Sequence, residues 1–83
     1  MSDIDLLIEE CSELIQACCK YKRLMNKDKT LRVDEITVNN MMKEEMVDVI
    51  ILLTRIGDKF YKDKDEYVDL LNKKIERTNN WSK

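Results

Sequence analysis

Residues 46–53 read MVDVIILL, a segment in which Asp48 is the single polar side chain. Taken alone, the run from Val49 to Leu53 suits either a buried strand or a buried helix. Helical spacing of apolar residues continues on both sides of it, which favours a helix from about Val38 to Ile56. A helix that is apolar on nearly all faces needs neighbours on all sides. We therefore expect this helix to lie at the centre of an assembly and to pack on a second copy.

The ends of this central helix are predicted from residues that commonly cap helices. Asn39 or Asn40 is expected to cap its start, and Gly57 is expected to close it in the left-handed conformation. Residues 31–37, which precede it, fit either an extended or a short helical connector.

Two further helices are predicted on either side. The first is expected from about Asp3 to Met25, with Ser2 or Asp3 as its N-cap, because its apolar residues alternate spacings of three and four. The third is expected from about Lys64 to Asn79, with Asp63 and Glu66 in a pattern similar to a capping box.

The composition supports an all-α fold. The chain has no proline and one glycine among 83 residues, too few turn-forming residues for a β-fold with many turns. A chain of this size buries only about 60% of its surface when it folds alone. We therefore expect one domain, residues 1–83, whose three-helix subunit forms a four-helix-bundle-type core across a dimer or tetramer.

Several functional classes are excluded by what the sequence lacks. With no histidine, Ser-His-Asp catalysis and histidine-containing zinc or di-iron sites are ruled out. A net charge of −2 provides no positive field for nucleic acid. Because there is no long apolar run and the start is acidic, we expect no membrane segment, no signal peptide and a cytoplasmic location. An odd number of cysteines, 3, argues against a disulfide framework.

Two acidic pairs differ from ordinary surface charges. Glu10 and Glu13 share one helix face, as do Glu45 and Asp48, and apolar residues flank each pair. None of the four has a lysine or arginine one helical turn away. A cluster of such carboxylates near a core would need a cation, and oxygen ligands favour Mg²⁺ or Mn²⁺. The alternative is that these acids lie on solvated flanks of their helices.

Three motifs carry a resemblance to a known family. Residues 9–14 (EECSEL) resemble the first metal-binding block of the MazG-like all-α nucleoside triphosphate pyrophosphohydrolases, and residues 44–49 (EEMVDV) resemble the second. Residues 72–77 (NKKIER) are similar to the basic segment that follows the metal-binding helices in that family. The resemblance covers about residues 6–78.

The resemblance implies an enzyme that hydrolyses a nucleoside or deoxynucleoside triphosphate to the monophosphate and pyrophosphate. The catalytic Mg²⁺ ligands that it implies are Glu10, Glu13, Glu45 and Asp48. The basic residues that it places near the triphosphate are Lys73, Lys74 and Arg77. For these three a solvated helix face is the alternative.

Trp81 and the apolar central helix leave other interpretations open. Trp81 lies in a polar tail, where its ring could stack on a base or dock on a partner subunit. A non-catalytic helical oligomerisation or adaptor module would also use an apolar helix as its interface. Such a module gives no reason for two acidic pairs without basic neighbours.

Overall fold

The computed structural model describes residues 2–79 and Trp81, and its architecture is all-helical. Helix α1 spans Asp3–Met25, α2 spans Glu35–Phe60 and α3 spans Lys64–Thr78. No strand occurs among the described residues. The predicted all-α class, the three helices and the bounds of the first helix are confirmed. Within the described part of the chain, no helix has the length and apolar character needed to cross a membrane.

Side chains cap the starts of α1 and α3 in different ways. The Ser2 hydroxyl accepts a hydrogen bond from the Asp5 backbone N–H (3.1 Å), and the Asp5 carboxylate accepts one from the Ser2 N–H (3.3 Å). This reciprocal pair is a complete capping box. At α3, Asp63 accepts from the Glu66 N–H (2.9 Å), but the Glu66 carboxylate accepts from the N–H of Lys62 (3.2 Å). The return bond of the expected box therefore comes from the N–H of Lys62, one residue before the N-cap Asp63.

Helix α2 begins earlier than the sequence pattern predicts. Asp34 is its N-cap and accepts a hydrogen bond from the Thr37 N–H at 2.8 Å. Asn39 and Asn40, the predicted caps, lie inside the helix. Aspartate is a strong N-cap, so the end of the ambiguous segment 31–37 becomes the first turn of α2.

Helix α2 also continues past its predicted end. Gly57 is helical and does not adopt a positive φ, contrary to its expected role as a closing residue. Its carbonyl accepts a hydrogen bond from the Tyr61 N–H at 2.9 Å, so the backbone ladder continues. The helix ends at Phe60, where Tyr61 turns to extended backbone. Glycine disfavours a helix by only about 1 kcal/mol relative to alanine, so a glycine alone does not require the helix to end.

Helices α1 and α2 form an antiparallel hairpin. Asp3 at the start of α1 contacts Arg55 near the end of α2. The hairpin core is small, and its buried apolar residues are Ala17, Val38, Val49, Leu52 and Ile56. Other apolar side chains of both helices face outward, among them Ile8 and Ile50.

The connection between α1 and α2 is fixed by Asp28. Its carboxylate accepts hydrogen bonds from the Thr30 N–H (2.8 Å), the Thr30 hydroxyl (2.6 Å) and Arg23 Nε (2.9 Å). These bonds, those from Thr30 foremost, lower the pKa of Asp28 to about 2. The connection therefore keeps its charged carboxylate through the neutral and mildly acidic range.

The backbone of α3 does not approach that of the hairpin closely in the part of the chain that the structure describes. Among the described residues, the helix-to-helix packing is confined to α1 and α2. The rings of Tyr61 and Tyr67 meet edge to face with centroids 5.1 Å apart, which ties the start of α3 to the end of α2. The apolar stripe of α3 is exposed and consists of Tyr67, Leu70, Leu71 and Ile75. The chain is flat, with extents of 48 × 39 × 17 Å.

Lys27 ends α1 in a conformation that usually belongs to glycine. Its φ is 55°, and it follows the C-cap residue Asn26. Its N–H donates to the Leu24 carbonyl (3.0 Å), and the Asp28 N–H donates to the Arg23 carbonyl (2.9 Å). Together these bonds form a Schellman motif with a side chain at its left-handed position.

We predict that Lys27→Gly stabilises the protein by about 1 kcal/mol, because glycine relieves the steric cost of the left-handed conformation. Urea unfolding at matched protein concentration measures the change. Lys27→Ala is the control: alanine keeps the Cβ and should bring no comparable gain. A Lys27→Gly variant less stable than the Ala variant would contradict this account.

Candidate metal centre

The hairpin brings acids from both helices together. One carboxylate oxygen from each of Glu10, Glu45 and Asp48 lies within 4.8 Å of the other two. The antiparallel pairing that joins Asp3 to Arg55 places Glu10, two turns further along α1, opposite Asp48. Three of the four acids predicted from the sequence thus form one cluster.

Glu13, the fourth predicted acid, lies beside this cluster. Its charge and its carboxyl contact raise the pKa of both Glu10 and Glu45. It is not part of the set whose oxygens all lie within 4.8 Å of one another. The structure therefore brings the two predicted pairs to the same place, with Glu13 at the edge.

Two oxygens of the cluster are buried without a partner. They are Oε2 of Glu10 and Oε2 of Glu45, and neither has a hydrogen-bond donor among the described residues. A buried, unpaired carboxylate oxygen is strongly unfavourable. Within the same part of the chain, the ion pairs that form are Arg23–Asp28 and Arg55–Asp3, so no basic side chain pairs with the cluster. An all-oxygen donor set of this kind fits Mg²⁺ or Mn²⁺.

The electrostatics of the cluster show the same deficit of positive charge. Burial, followed by the charge of Glu13 and then by Asp48 and Glu45, raises the pKa of Glu10 to about 7. Burial and the charges of Glu13 and Asp48 also raise the pKa of Glu45. Near neutral pH the metal-free cluster thus retains a proton that a bound cation would displace.

An open surface depression of about 230 Å³, called the cavity below, adjoins the cluster. Its lining residues are Leu6, Glu10, Asp48, Ile51, Leu52 and Arg55. That volume accommodates several waters at about 30 Å³ each, or a phosphate group. Arg55 was not among the site residues predicted from the sequence. It lies seven positions after Asp48, two helical turns along the same face. Charged neighbours one helical turn from each acid therefore do not include it.

The predicted phosphate-binding residues lie elsewhere in the chain. Lys73, Lys74 and Arg77 are exposed on α3, whose backbone does not approach α1 or α2 closely among the described residues. Trp81 is 77% exposed. None of these residues lines the cavity beside the acids. Their proposed roles remain predictions.

The raised pKa of Glu10 predicts a specific pH dependence of stability in the absence of divalent metal. The folded-state pKa of about 7 lies above the ordinary value of 4.5, so the folded protein binds the extra proton. The contribution of protonated Glu10 to the free energy of unfolding is fully present below pH 4.5 and is lost as the pH rises through about 7.

Glu10→Gln, which is neutral at every pH, should therefore be more stable than the wild type at about pH 8 and lose most of that advantage at about pH 5. Thermal midpoints with a chelator present measure the difference. Glu9→Gln changes an exposed neighbour on the same helix and is the control, for which no such trend is expected. A Glu10→Gln advantage that is the same at both pH values would rule out this coupling.

Comparison with known proteins does not identify a family. No protein-family model, no curated protein and no solved structure matches the chain. The site is thus defined by its own geometry, and the resemblance to the MazG-like family remains a prediction.

Proposed function

We propose that the chain is a Mg²⁺-dependent nucleoside triphosphate pyrophosphohydrolase, which converts a nucleoside or deoxynucleoside triphosphate and water to the monophosphate and pyrophosphate. The observation that carries the proposal is the pair of buried, unpartnered oxygens on Glu10 and Glu45 within a cluster of carboxylates. That observation supports a divalent cation. The motifs at residues 9–14, 44–49 and 72–77 support the triphosphate.

In this proposal Glu10, Glu45 and Asp48 hold the cation, Mg²⁺ or Mn²⁺, and Glu13 adds its negative charge beside them. The cation would supply an activated water and neutralise phosphate oxygens. Phosphoryl-group hydrolysis depends on positioning and charge neutralisation more than on covalent catalysis. A chain without histidine is therefore suited to this reaction.

We also propose that the active form is a homodimer or homotetramer with four-helix cores. The support is the outward apolar face of α2, where Met46, Val47, Ile50 and Leu53 are each about half exposed. The apolar stripe of α3 is exposed as well. Burying these side chains against a second copy would remove them from water, at about 25 cal/mol per Å² of apolar surface.

Assembly would also give α3 a role. Because the three bases of α3 are exposed and the backbone of α3 stays apart from its own hairpin, these bases can face another copy. We assign Lys73, Lys74 and Arg77 to the phosphates bound at a neighbouring subunit's cluster, with Trp81 near the base or the subunit boundary.

A non-catalytic oligomerisation module is the second candidate, and the exposed apolar face of α2 favours it equally. It accounts for the interface but not for the buried oxygens of Glu10 and Glu45. Metal binding and triphosphate hydrolysis therefore decide between the two.

We predict that millimolar Mg²⁺ or Mn²⁺ raises the thermal midpoint of the wild type and that a nucleotide panel yields pyrophosphate. A ligand at 100 times its Kd stabilises by about 2.7 kcal/mol. Glu45→Gln or Asp48→Asn should abolish both effects while leaving the metal-free protein as stable or more stable, because each substitution relieves carboxylate repulsion.

Asp58→Asn, an exposed position on the same helix, is the matched control and should keep metal binding and hydrolysis. Full activity in Glu45→Gln or Asp48→Asn would contradict the metal assignment. A wild type that forms a stable oligomer but neither binds metal nor releases pyrophosphate would favour the adaptor module.

The oligomer is tested separately with Ile50→Lys. Ile50 is 57% exposed in the single chain, so a lysine there is tolerated in a monomer but is placed in the interface of the proposed assembly. We expect the wild type to sediment above the 9.9 kDa monomer mass at micromolar concentration, and Ile50→Lys to dissociate or unfold. Asn40→Lys, at an exposed polar position of α2, is the control. A folded wild-type monomer would refute the assembly.

A further inference from the structure

Arg55 lies at the edge of the acidic cavity without pairing with the acidic cluster. Its side chain lines the cavity together with Glu10 and Asp48. Among the described residues its one side-chain hydrogen bond joins Nη1 to Asp3 Oδ1 at 3.4 Å. Strong charge-assisted bonds are shorter, about 2.7–2.9 Å. A guanidinium has five N–H donors, so most of its donors here have no protein acceptor.

This arrangement is unusual for an arginine that serves only to neutralise carboxylates. Such an arginine would pair with Glu10 or Asp48, whose cluster has buried oxygens without partners. Instead the guanidinium contacts Asp3, which lies outside the cluster. The cavity thus has carboxylates for a cation on its wall and an underused guanidinium beside them.

A phosphate-bearing ligand matches this distribution of charge. Some of its oxygens can share the cation held by the carboxylates, while others accept hydrogen bonds from the guanidinium. Arginine binds phosphate through two parallel N–H bonds, which a lysine cannot reproduce. The cavity volume of about 230 Å³ is sufficient for a phosphate group and its waters.

We propose that Arg55 is a phosphate-binding residue of this cavity and that it exchanges its loose contact with Asp3 for the phosphate oxygens of the ligand. The ligand class is a nucleoside triphosphate or the pyrophosphate that it releases. The inference rests on the proposed function and adds to it a basic residue within the same hairpin as the acids, independent of α3.

The competing explanation is purely structural: Arg55 would fasten the start of α1 to the end of α2. The contact argues against it, because Arg55 is 56% exposed on its side chain and exposed ion pairs contribute little to stability. Two substitutions separate the explanations. Arg55→Ala and Asp3→Asn both remove the ion pair, but only the first removes the phosphate donor.

The experiment is a calorimetric titration of the full chain with Mg²⁺ alone and, once loaded with Mg²⁺, with inorganic pyrophosphate. Arg55→Ala should weaken pyrophosphate binding by about 10- to 100-fold, as expected for the loss of hydrogen bonds between charged groups. It should leave Mg²⁺ binding as tight or tighter, because a positive charge near the metal is removed. Asp3→Asn should bind pyrophosphate as tightly as the wild type or more tightly, because the Arg55 guanidinium is released from its ion pair. If Arg55→Ala does not fold, Arg55→Lys decides, and weaker pyrophosphate binding is expected.

Three results would overturn the assignment. Unchanged pyrophosphate affinity in a folded Arg55→Ala, or in Arg55→Lys where Ala does not fold, removes Arg55 from the site while the proposed function stands. Equal losses in Asp3→Asn and Arg55→Ala show that the ion pair is structural. A wild type that binds neither Mg²⁺ nor pyrophosphate refutes the proposed function and this assignment together.

Discussion

The carboxylates between α1 and α2 impose the constraint on which the rest of the structure depends. The packing that buries Ala17 and Leu52 also brings Glu10 and Glu45 together, with an oxygen of each removed from water. Close packing of the helices and separation of like charges cannot both be satisfied. In the metal-free chain a proton on Glu10 relieves the conflict, since the pKa of that group rises to about 7. A divalent cation would relieve it more completely, so the stability of the hairpin and the occupancy of the site are linked.

The two sides of α2 carry different chemistry. One side carries Glu45, Asp48 and Arg55, which adjoin α1 residues at the acidic cluster and its cavity. The other carries Met46, Ile50 and Leu53, each of which is about half exposed. A helix of this kind can carry a polar site on one side and an apolar surface on the other, over the same stretch of its length. This explains how a chain of 83 residues with a small core can present both without a larger scaffold.

Sequence alone was sufficient where the signal is local. The limits of α1 follow from its apolar spacing and from Ser2, and the acidic cluster follows from the absence of bases one turn away. The limits of α2 could not be predicted in this way. Asp34 and Gly57 each fit more than one backbone conformation, and tertiary context selects between them. Arg55 was missed because its relation to the acids spans two turns and depends on the neighbouring helix. The separation of α3 from the hairpin could not be predicted, since an amphipathic stripe does not specify what covers it.

The charge distribution finally connects the proposed chemistry to the proposed assembly. Glu10 and Asp48 line the cavity, and the proposed triphosphate would add further negative charge there. Arg55 is the basic residue that the hairpin itself places beside them. The bases of α3 do not line that cavity within one chain. In the proposed function a single hairpin would therefore hold the residues for the cation and one contact for phosphate, while further neutralisation would depend on α3 of another copy. On this proposal, dissociation of the subunits would weaken triphosphate binding more than metal binding, because the carboxylates belong to one chain and the additional bases to its neighbour.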